Sequence, residues 1–510
     1  MIGRSSLVIL LCASYAAPGA TPADTRTQST TLPAVRDLKD GWNQLRPGGE
    51  TICAKGTPYH FYVRRGSPEK VSVFFEGGGA CWTGEDCDRG RPNYHPDLVS
   101  QGPAVDPAMR GILDLAHPEN PLVDRSAVVV PYCTGDVHLG DRSTTYTVAS
   151  GGGEARSVTV QHRGQTNAMA VLRWIYANIA DPREIFVTGS SAGGVATPFY
   201  ASVLAQHYPN ARVVALGDDA GMHRGDRIAG ANFGRWGHPE VMRQHRGWEK
   251  LPEDWGTPDL FVMAARSASN LTLFQIDHAY DQPQYSFIVL SAAADMAAAI
   301  KRLQAGVQGS ELVGLLRSNR EEIGAQVNTF RSFTVGGRAH GIVQNDRFYA
   351  YETNGVRVRD WVASIAAGQP VASVDCTTCW RPGFRVVDQD LRIIERAMEL
   401  LSPAGAWDPQ DRAGGGCPTS GSRYTLRCAL RKAAGDVIGV TPTNENEDPA
   451  AVSEVAYSIL DRMGTRERLF GGPPLVVYNN RPGATAADVI ALLGDVRDRF
   501  RADLRQRAKQ

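Results

Sequence analysis

Ser191 lies in Gly189-Ser-Ser-Ala-Gly193, a G-x-S-x-G pattern. A serine hydroxyl is a poor nucleophile near neutral pH and needs a base within hydrogen-bond reach, a carboxylate to orient that base, and N–H donors for the oxyanion it generates. Candidates for all three occur along the chain. Of the eleven histidines His340 is the only one after His278, and it sits in Gly336-Gly-Arg-Ala-His-Gly341. Asp277 and Asp281 both follow the apolar run Leu271 to Ile276 and are both candidates for the acid. Glu76-Gly-Gly-Gly-Ala-Cys-Trp82 ends another apolar run, and its glycines let backbone N–H groups converge on one point. A phosphate-cradling loop is the rival for that stretch. It lacks the Lys-Ser/Thr of a P-loop, and no G-x-G-x-x-G opens a helix.

These residues act together only if strands carry them to one edge of a sheet. Ile185 to Thr188 suit a buried strand and Val195 to His207 a helix, which puts Ser191 at the turn between them. Val71 to Phe75, Ala127 to Tyr132, Arg212 to Leu216, Leu271 to Ile276 and Thr329 to Val335 also read as strands, alternating with helical stretches such as Asn167 to Ile179. The expected class is α/β, an α/β-hydrolase-like sheet over residues 35–380 with nucleophile, acid and base in that chain order. Gly151 to Gly153 read as a hairpin turn. Residues His223 to Asp259, with Trp236, Trp248 and Trp255, show no clean period and read as a lid, a substrate wall or surface covering. From 381 to 510 amphipathic helices replace the alternation: Leu391 to Leu401, Val452 to Leu460 begun by Asp448 and Pro449, and a third opened by Thr485-x-x-Asp488. That unit holds no catalytic constellation and reads as an accessory domain.

Lys+Arg and Asp+Glu both number 54, and this balance argues against nucleic acid as a partner. Met1, Arg4 and the apolar Leu7 to Ala13 form a signal-peptide pattern over residues 1–20, too short to span a bilayer, followed by a flexible spacer over 21–34. A lipoprotein signal at Cys12 is disfavoured by Leu11, where a small residue is wanted. Beyond the leader there are eight cysteines: Cys53, Cys81, Cys87, Cys133, Cys376, Cys379, Cys417 and Cys428. An even number in an exported chain implies disulfides, and secreted or periplasmic location is the expectation. Cys376-x-x-Cys379 fits neither a redox βαβ unit nor a familiar zinc spacing. Neither a metal nor a cofactor is expected. Asn270-Leu-Thr272 is an N-glycosylation sequon whose use depends on the host.

Taken in order, Glu76-Gly-Gly-Gly with Cys81, Pro131-Tyr-Cys133 with Asp136, Arg163-Gly before a helix, Gly189-x-Ser191-Ala-Gly-Gly194, Asp219-Ala-Gly221, Ala279-Tyr-Asp281-x-x-Gln284 and Ala339-His340 resemble the pectin acetylesterase/Notum family of carboxylesterases over roughly residues 40–345. The resemblance implies a Ser191, Asp281, His340 triad, choosing Asp281 over Asp277. It also implies an oxyanion hole from the N–H groups of Gly78, Gly79 and Ala192, and pairing of Cys53 with Cys133 and Cys81 with Cys87. The late cysteines are left unpaired by it. Ala80 and Pro283 depart from the plant-type pattern, so the acyl pocket does not carry over. The expected activity is hydrolysis of acyl esters, acetyl on a polysaccharide such as pectin in the first instance. The alternatives are a longer acyl group on a protein or lipid, and a non-catalytic binding protein on a hydrolase scaffold. Arg427-Cys-Ala-Leu430 and Tyr478-Asn-Asn-Arg-Pro-Gly483 are similar to a small bacterial domain family of unknown function.

Overall fold

The computed structural model describes residues 32–89, 94–98, 109–148, 154–224, 234–291, 293, 296–305, 309–377, 379–412, 416–418, 421–442, 448–464 and 473–509. The leader, most of the spacer and the Gly151 to Gly153 triplet lie outside them. Ten strands carry the first part of the chain: β1 (Trp42–Leu45), β2 (Phe61–Arg64), β3 (Ser67–Phe75), β4 (Arg125–Val130), β5 (Arg142–Val148), β6 (Arg156–His162), β7 (Glu184–Ser190), β8 (Arg212–Asp218), β9 (Leu271–His278) and β10 (Arg331–Val335). Eight form one sheet in the order β1-β2-β4-β3-β7-β8-β9-β10, and β5 and β6 pair separately as an antiparallel ribbon. The sheet is antiparallel at β1, β2 and β4, then parallel from β4 through β10.

Parallel strands need crossovers, and the crossover helices bury both faces of the sheet. Side chains along β7 alternate accordingly: Ile185 and Val187 enter one core and Phe186 the other. The first core is closed by α2 (Gly164–Asn178) and α3 (Ala192–His207), through Val171, Trp174, Phe199 and Leu204. The second is closed by the Val358–Ala366 helix, through Trp361 and Ile365. β7 therefore sits mid-sheet with its carboxyl end open between two packed layers. A ligand crevice in an open α/β sheet forms at that kind of edge.

The His223 to Asp259 stretch is more structured than its composition suggests. Among its described residues are a helical turn at Gly234–Trp236, the His238–Met242 helix and the start of the Thr257–Ser267 helix. Trp236, Trp248 and Trp255 are only 0%, 0% and 3% exposed, so large apolar anchors pin the segment where a periodic pattern is missing.

The C-terminal helices have their own core, built by Ile393, Ile394, Leu430, Val455, Leu492, Leu493 and Phe500. Thr485 and Asp488 form the reciprocal capping box that their spacing predicts. The expected cap at Asp448 does not form. Pro449 is the N-cap of the Ala450–Arg462 helix, and the Asp448 carboxylate instead pairs with Arg431 at 2.8 Å, both side chains buried. A buried arginine must be paired, and that demand outranks capping.

Candidate active site

β7 ends at Ser190, and Ser191 adopts φ 57°, ψ −121° before α3 begins at Ala192. Positive φ is costly for a side chain with a Cβ, and the glycines on either side answer two close approaches. A Cβ on Gly189 would lie 2.5 Å from Gly193 O, and one on Gly193 would collide with the Phe75 carbonyl. With glycine at both places the turn fits against β3. The Ser191 amide donates to Asp218 O at 2.8 Å, fixing the turn to β8 as well.

Ser191 lines a cavity together with Gly79, Ala192 and His340. Its remaining wall is largely apolar, from Trp82, Val137, Val195, Trp255, Phe287 and Ile288. Ala192 opens α3, and a helix leaves its first N–H groups without internal partners. Gly79, at φ 76°, is the other backbone position on the same wall, while Gly78 precedes it with its carbonyl held by the His95 amide at 3.0 Å. Among the described residues the Gly79 and Ala192 amides have no acceptor within the protein. Cys81, bridged to Cys87, donates from its amide to Gly135 O and accepts from Trp236 Nε1 at 2.8 Å, so the buried tryptophan of the insertion steadies the glycine loop.

His340 follows β10, and its Nδ1 lies 2.7 Å from Asp281 Oδ2, leaving Nε2 for the cavity side. Asp281 is wholly buried beyond β9 and also accepts from Gln284 N at 2.9 Å and Gln284 Nε2 at 3.2 Å. Burial opposes charge on the imidazole, but Asp281 and, further off, Asp218 and Asp277 outweigh it, so the His340 pKa is raised above the usual histidine value. The structure brings Asp281 to His340 and takes Asp277 elsewhere. Asp277 accepts from the Ala220 and Gly221 amides and pairs with Arg320 at 2.9 Å.

Over residues 46–341 the chain matches the model of the pectinacetylesterase family. It belongs to that family. It is 24% identical over 311 residues to pectin acetylesterase 5 of Arabidopsis thaliana, covering 56% of this chain and 68% of that protein. It is 30% identical over 145 residues to palmitoleoyl-protein carboxylesterase notum2 of Xenopus laevis, 28% of each chain. Residues 386–499 match a family of unknown function. The protein is a carboxylic-ester hydrolase of the pectinacetylesterase family, on an α/β-hydrolase-like sheet.

Around the Ser191 turn the structure adds residues to which the sequence assigned no role. Asp218 accepts from the Ile342 amide at 3.0 Å and the Val343 amide at 3.1 Å. Asp219 accepts from the Gly341 amide at 2.6 Å and contacts His278 Nδ1 at 2.8 Å, with φ 47° at its own backbone. Two adjacent carboxyls, at and just past the end of β8, thus hold the three residues that follow His340. Burial raises the Asp218 pKa to about 7. Burial, then the neighbouring Asp281, Asp218 and Asp277, raises that of Asp219 much further. His278 moves the other way, lowered chiefly by burial. A pair of acids at the end of the strand beside β7, and the place of Asp219 in the Asp219-Ala-Gly221 motif, were the signals available for them.

Ligand atoms of Asp219, Asp281 and His340 lie within 4.8 Å of one another, a spacing that a cation would also accept. Their oxygens already accept from the Gly341 and Gln284 amides and each carboxyl contacts an imidazole, so the donor set describes a hydrogen-bonded network. Four disulfides are formed: Cys53–Cys133, Cys81–Cys87, Cys376–Cys379 and Cys417–Cys428. No helix among the described residues is long and apolar enough to cross a membrane.

Proposed function

We propose that the protein is an exported serine esterase that works through an acyl-enzyme. His340 Nε2 takes the Ser191 proton as the oxygen attacks an ester carbonyl, and Asp281 holds the Nδ1–H tautomer and stabilises the imidazolium. The Gly79 and Ala192 amides, with Gly78, receive the oxyanion, and water then releases the acid. The observation that carries this reading is the strained Ser191 turn facing the same cavity as an imidazole whose other nitrogen is held by a buried carboxylate. The four disulfides support an oxidising location.

Acetyl removal from a polysaccharide is the first substrate reading, supported by the likeness to the Arabidopsis protein. The apolar wall of Trp82, Val195, Phe287 and Ile288 favours a second, a longer acyl chain, because a methyl group alone leaves most of that wall uncovered. Rates on p-nitrophenyl acetate, butyrate and octanoate, with acetylated pectin and xylan, separate the two. Ser191→Ala is the control and should abolish turnover on every ester. Unchanged hydrolysis by Ser191→Ala would refute the mechanism, and failure of a fluorophosphonate to label Ser191 would favour a binding protein.

A further inference from the structure

The loop that carries His340 is weak on its own. Gly336, Gly337 and Gly341 surround the histidine, and glycine gives a chain no side-chain packing and the widest backbone freedom. Its rigidity must be supplied from outside. Part comes from the sheet edge: the Gly337 amide donates to Cys379 O at 2.7 Å, and Gly337 O accepts from the Tyr280 amide at 3.0 Å, one residue before Asp281. The rest comes from the C-terminal helical unit. The Arg338 amide, two residues before His340, donates to Tyr457 Oη at 2.9 Å. Tyr457 lies on the Ala450–Arg462 helix and is 7% exposed.

Gly337, at φ 94°, explains why the loop is glycine there: a Cβ would collide with Tyr457 Oη and lie 2.8 Å from Pro382 Cδ. The same helix reaches the loop a second time. Ser453 Oγ accepts from Arg347 at 3.1 Å, Arg347 donates to Asn345 Oδ1 from its amide at 2.9 Å, and Asn345 Nδ2 donates to Gly341 O. Arg381 closes the interface by pairing with Glu454 and, at 2.9 Å, with Asp461. One helix thus holds the chain on both sides of the histidine.

We propose that the C-terminal helical unit is a structural part of the catalytic site, with Tyr457 as a positioning residue that acts on His340 through the Arg338 amide. This rests on the reading of His340 as the general base. Of the charged groups around the imidazole, Asp218, Asp219, Asp277, Asp281 and His278 lie at or just past the ends of β8 and β9, Arg347 acts on His278 from the segment after His340, and none belongs to the Ala450–Arg462 helix. The helix therefore acts on the base through geometry: a loosened loop lengthens the His340–Asp281 contact.

The test is Tyr457→Phe in the full chain, which removes one acceptor and keeps the ring. Its kcat should fall about 5- to 50-fold with KM changed less than about twofold, since a small misplacement of a catalytic group costs rate more than binding. The acid limb of kcat/KM should move to lower pH, because the Asp281 contact that raises the His340 pKa is weakened. Leu430→Ala, buried in the unit's core on the Leu426–Ile438 helix and so away from the helix that carries Tyr457 and Ser453, is the control. It should lower the melting temperature and leave kcat and the pH limb unchanged. If Tyr457→Phe does not fold, Ser453→Ala removes the second strut and carries the same expectation. Wild-type kcat and limb in the folded variant, or equal losses in Leu430→Ala, would overturn the proposal. His340→Ala, run in parallel, separates the two layers. An active His340→Ala protein overturns both, whereas an inactive one beside a wild-type Tyr457→Phe overturns the positioning role alone.

Discussion

Asp281→Asn is the substitution whose cost the structure defines most closely. The carboxylate accepts three N–H groups: His340 Nδ1 at 2.7 Å, Gln284 N at 2.9 Å and Gln284 Nε2 at 3.2 Å. An amide of the same shape has one acceptor oxygen and one NH₂ group, so at least one of the three donors meets another donor. If the NH₂ faces His340, the ring must accept at Nδ1 and carry its proton on Nε2. That tautomer cannot receive the Ser191 proton. The same change in the Ser-His-Asp template costs about 10⁴ in kcat, which at about 1.36 kcal/mol per decade is about 5.4 kcal/mol. A second signature follows from charge. The wild-type imidazole is protonated below a pKa raised by Asp281, so activity should fall with decreasing pH at a midpoint above the ordinary histidine value of about 6.5. Asp281→Asn removes the counter-charge, and the midpoint of the residual activity should move below the wild-type one. Initial rates on a p-nitrophenyl ester from pH 5 to 9, with a thermal melt to verify folding, read both effects. A folded variant that keeps more than about a tenth of the wild-type kcat would refute the assignment of Asp281 and the tautomer argument with it.

Two further outcomes follow from close contacts. Gly193→Ala places a Cβ against the Phe75 carbonyl, a backbone group that cannot swing aside, so the turn must open. It should lose at least about 100-fold in kcat, along with fluorophosphonate labelling of Ser191; near-wild-type labelling would sink the strained-turn account. Ile288→Trp fills the apolar wall beside Ser191. It should lower kcat/KM on octanoate by at least about tenfold, the scale of a few methylenes' contact, and change acetate less than about threefold; equal losses on both would remove this wall as the acyl site.

The site was legible where its chemistry is local. Gly189 to Gly193 announces a sharp turn because both glycines are demanded within five residues, and Gly77 to Gly79 announces a loop of free amides in the same way. The acid was harder. Asp277 and Asp281 are four residues apart at the end of one strand, and only the folded chain sends the first to Arg320 and the second to His340. Asp218 and Asp219 could not be assigned a role because their partners, Gly341 to Val343, come more than 120 residues later. Tyr457 is separated from Arg338 by 119 residues and belongs to what reads as a separate unit. Of the fold, β3, β4, β7, β8, β9 and β10 were plain from their apolar runs, whereas the polar ribbon of β5 and β6 has no such run. The short helices near Trp236 and His238 were not, because buried tryptophans hold them and periodicity does not. Asp448 fits the cap pattern, yet a buried guanidinium elsewhere in the chain takes its carboxylate.

The disulfides divide the chain by the order in which thiols must find one another. Cys376 and Cys379 are 3 residues apart and Cys417 and Cys428 are 11, so for the last four cysteines the native partner is also the next cysteine in the chain. The first four are nested: Cys81–Cys87 closes inside the loop joined by Cys53 and Cys133, which are 80 residues apart. Sequential oxidation of an emerging chain would join Cys53 to Cys81 and Cys87 to Cys133. Closing the 80-residue loop correctly constrains the unfolded chain by about 4.5 kcal/mol, which rewards the native pair only after exchange has undone the mispaired one. Refolding yield should therefore be set by thiol–disulfide exchange among Cys53, Cys81, Cys87 and Cys133, with the helical unit oxidising correctly at the first attempt.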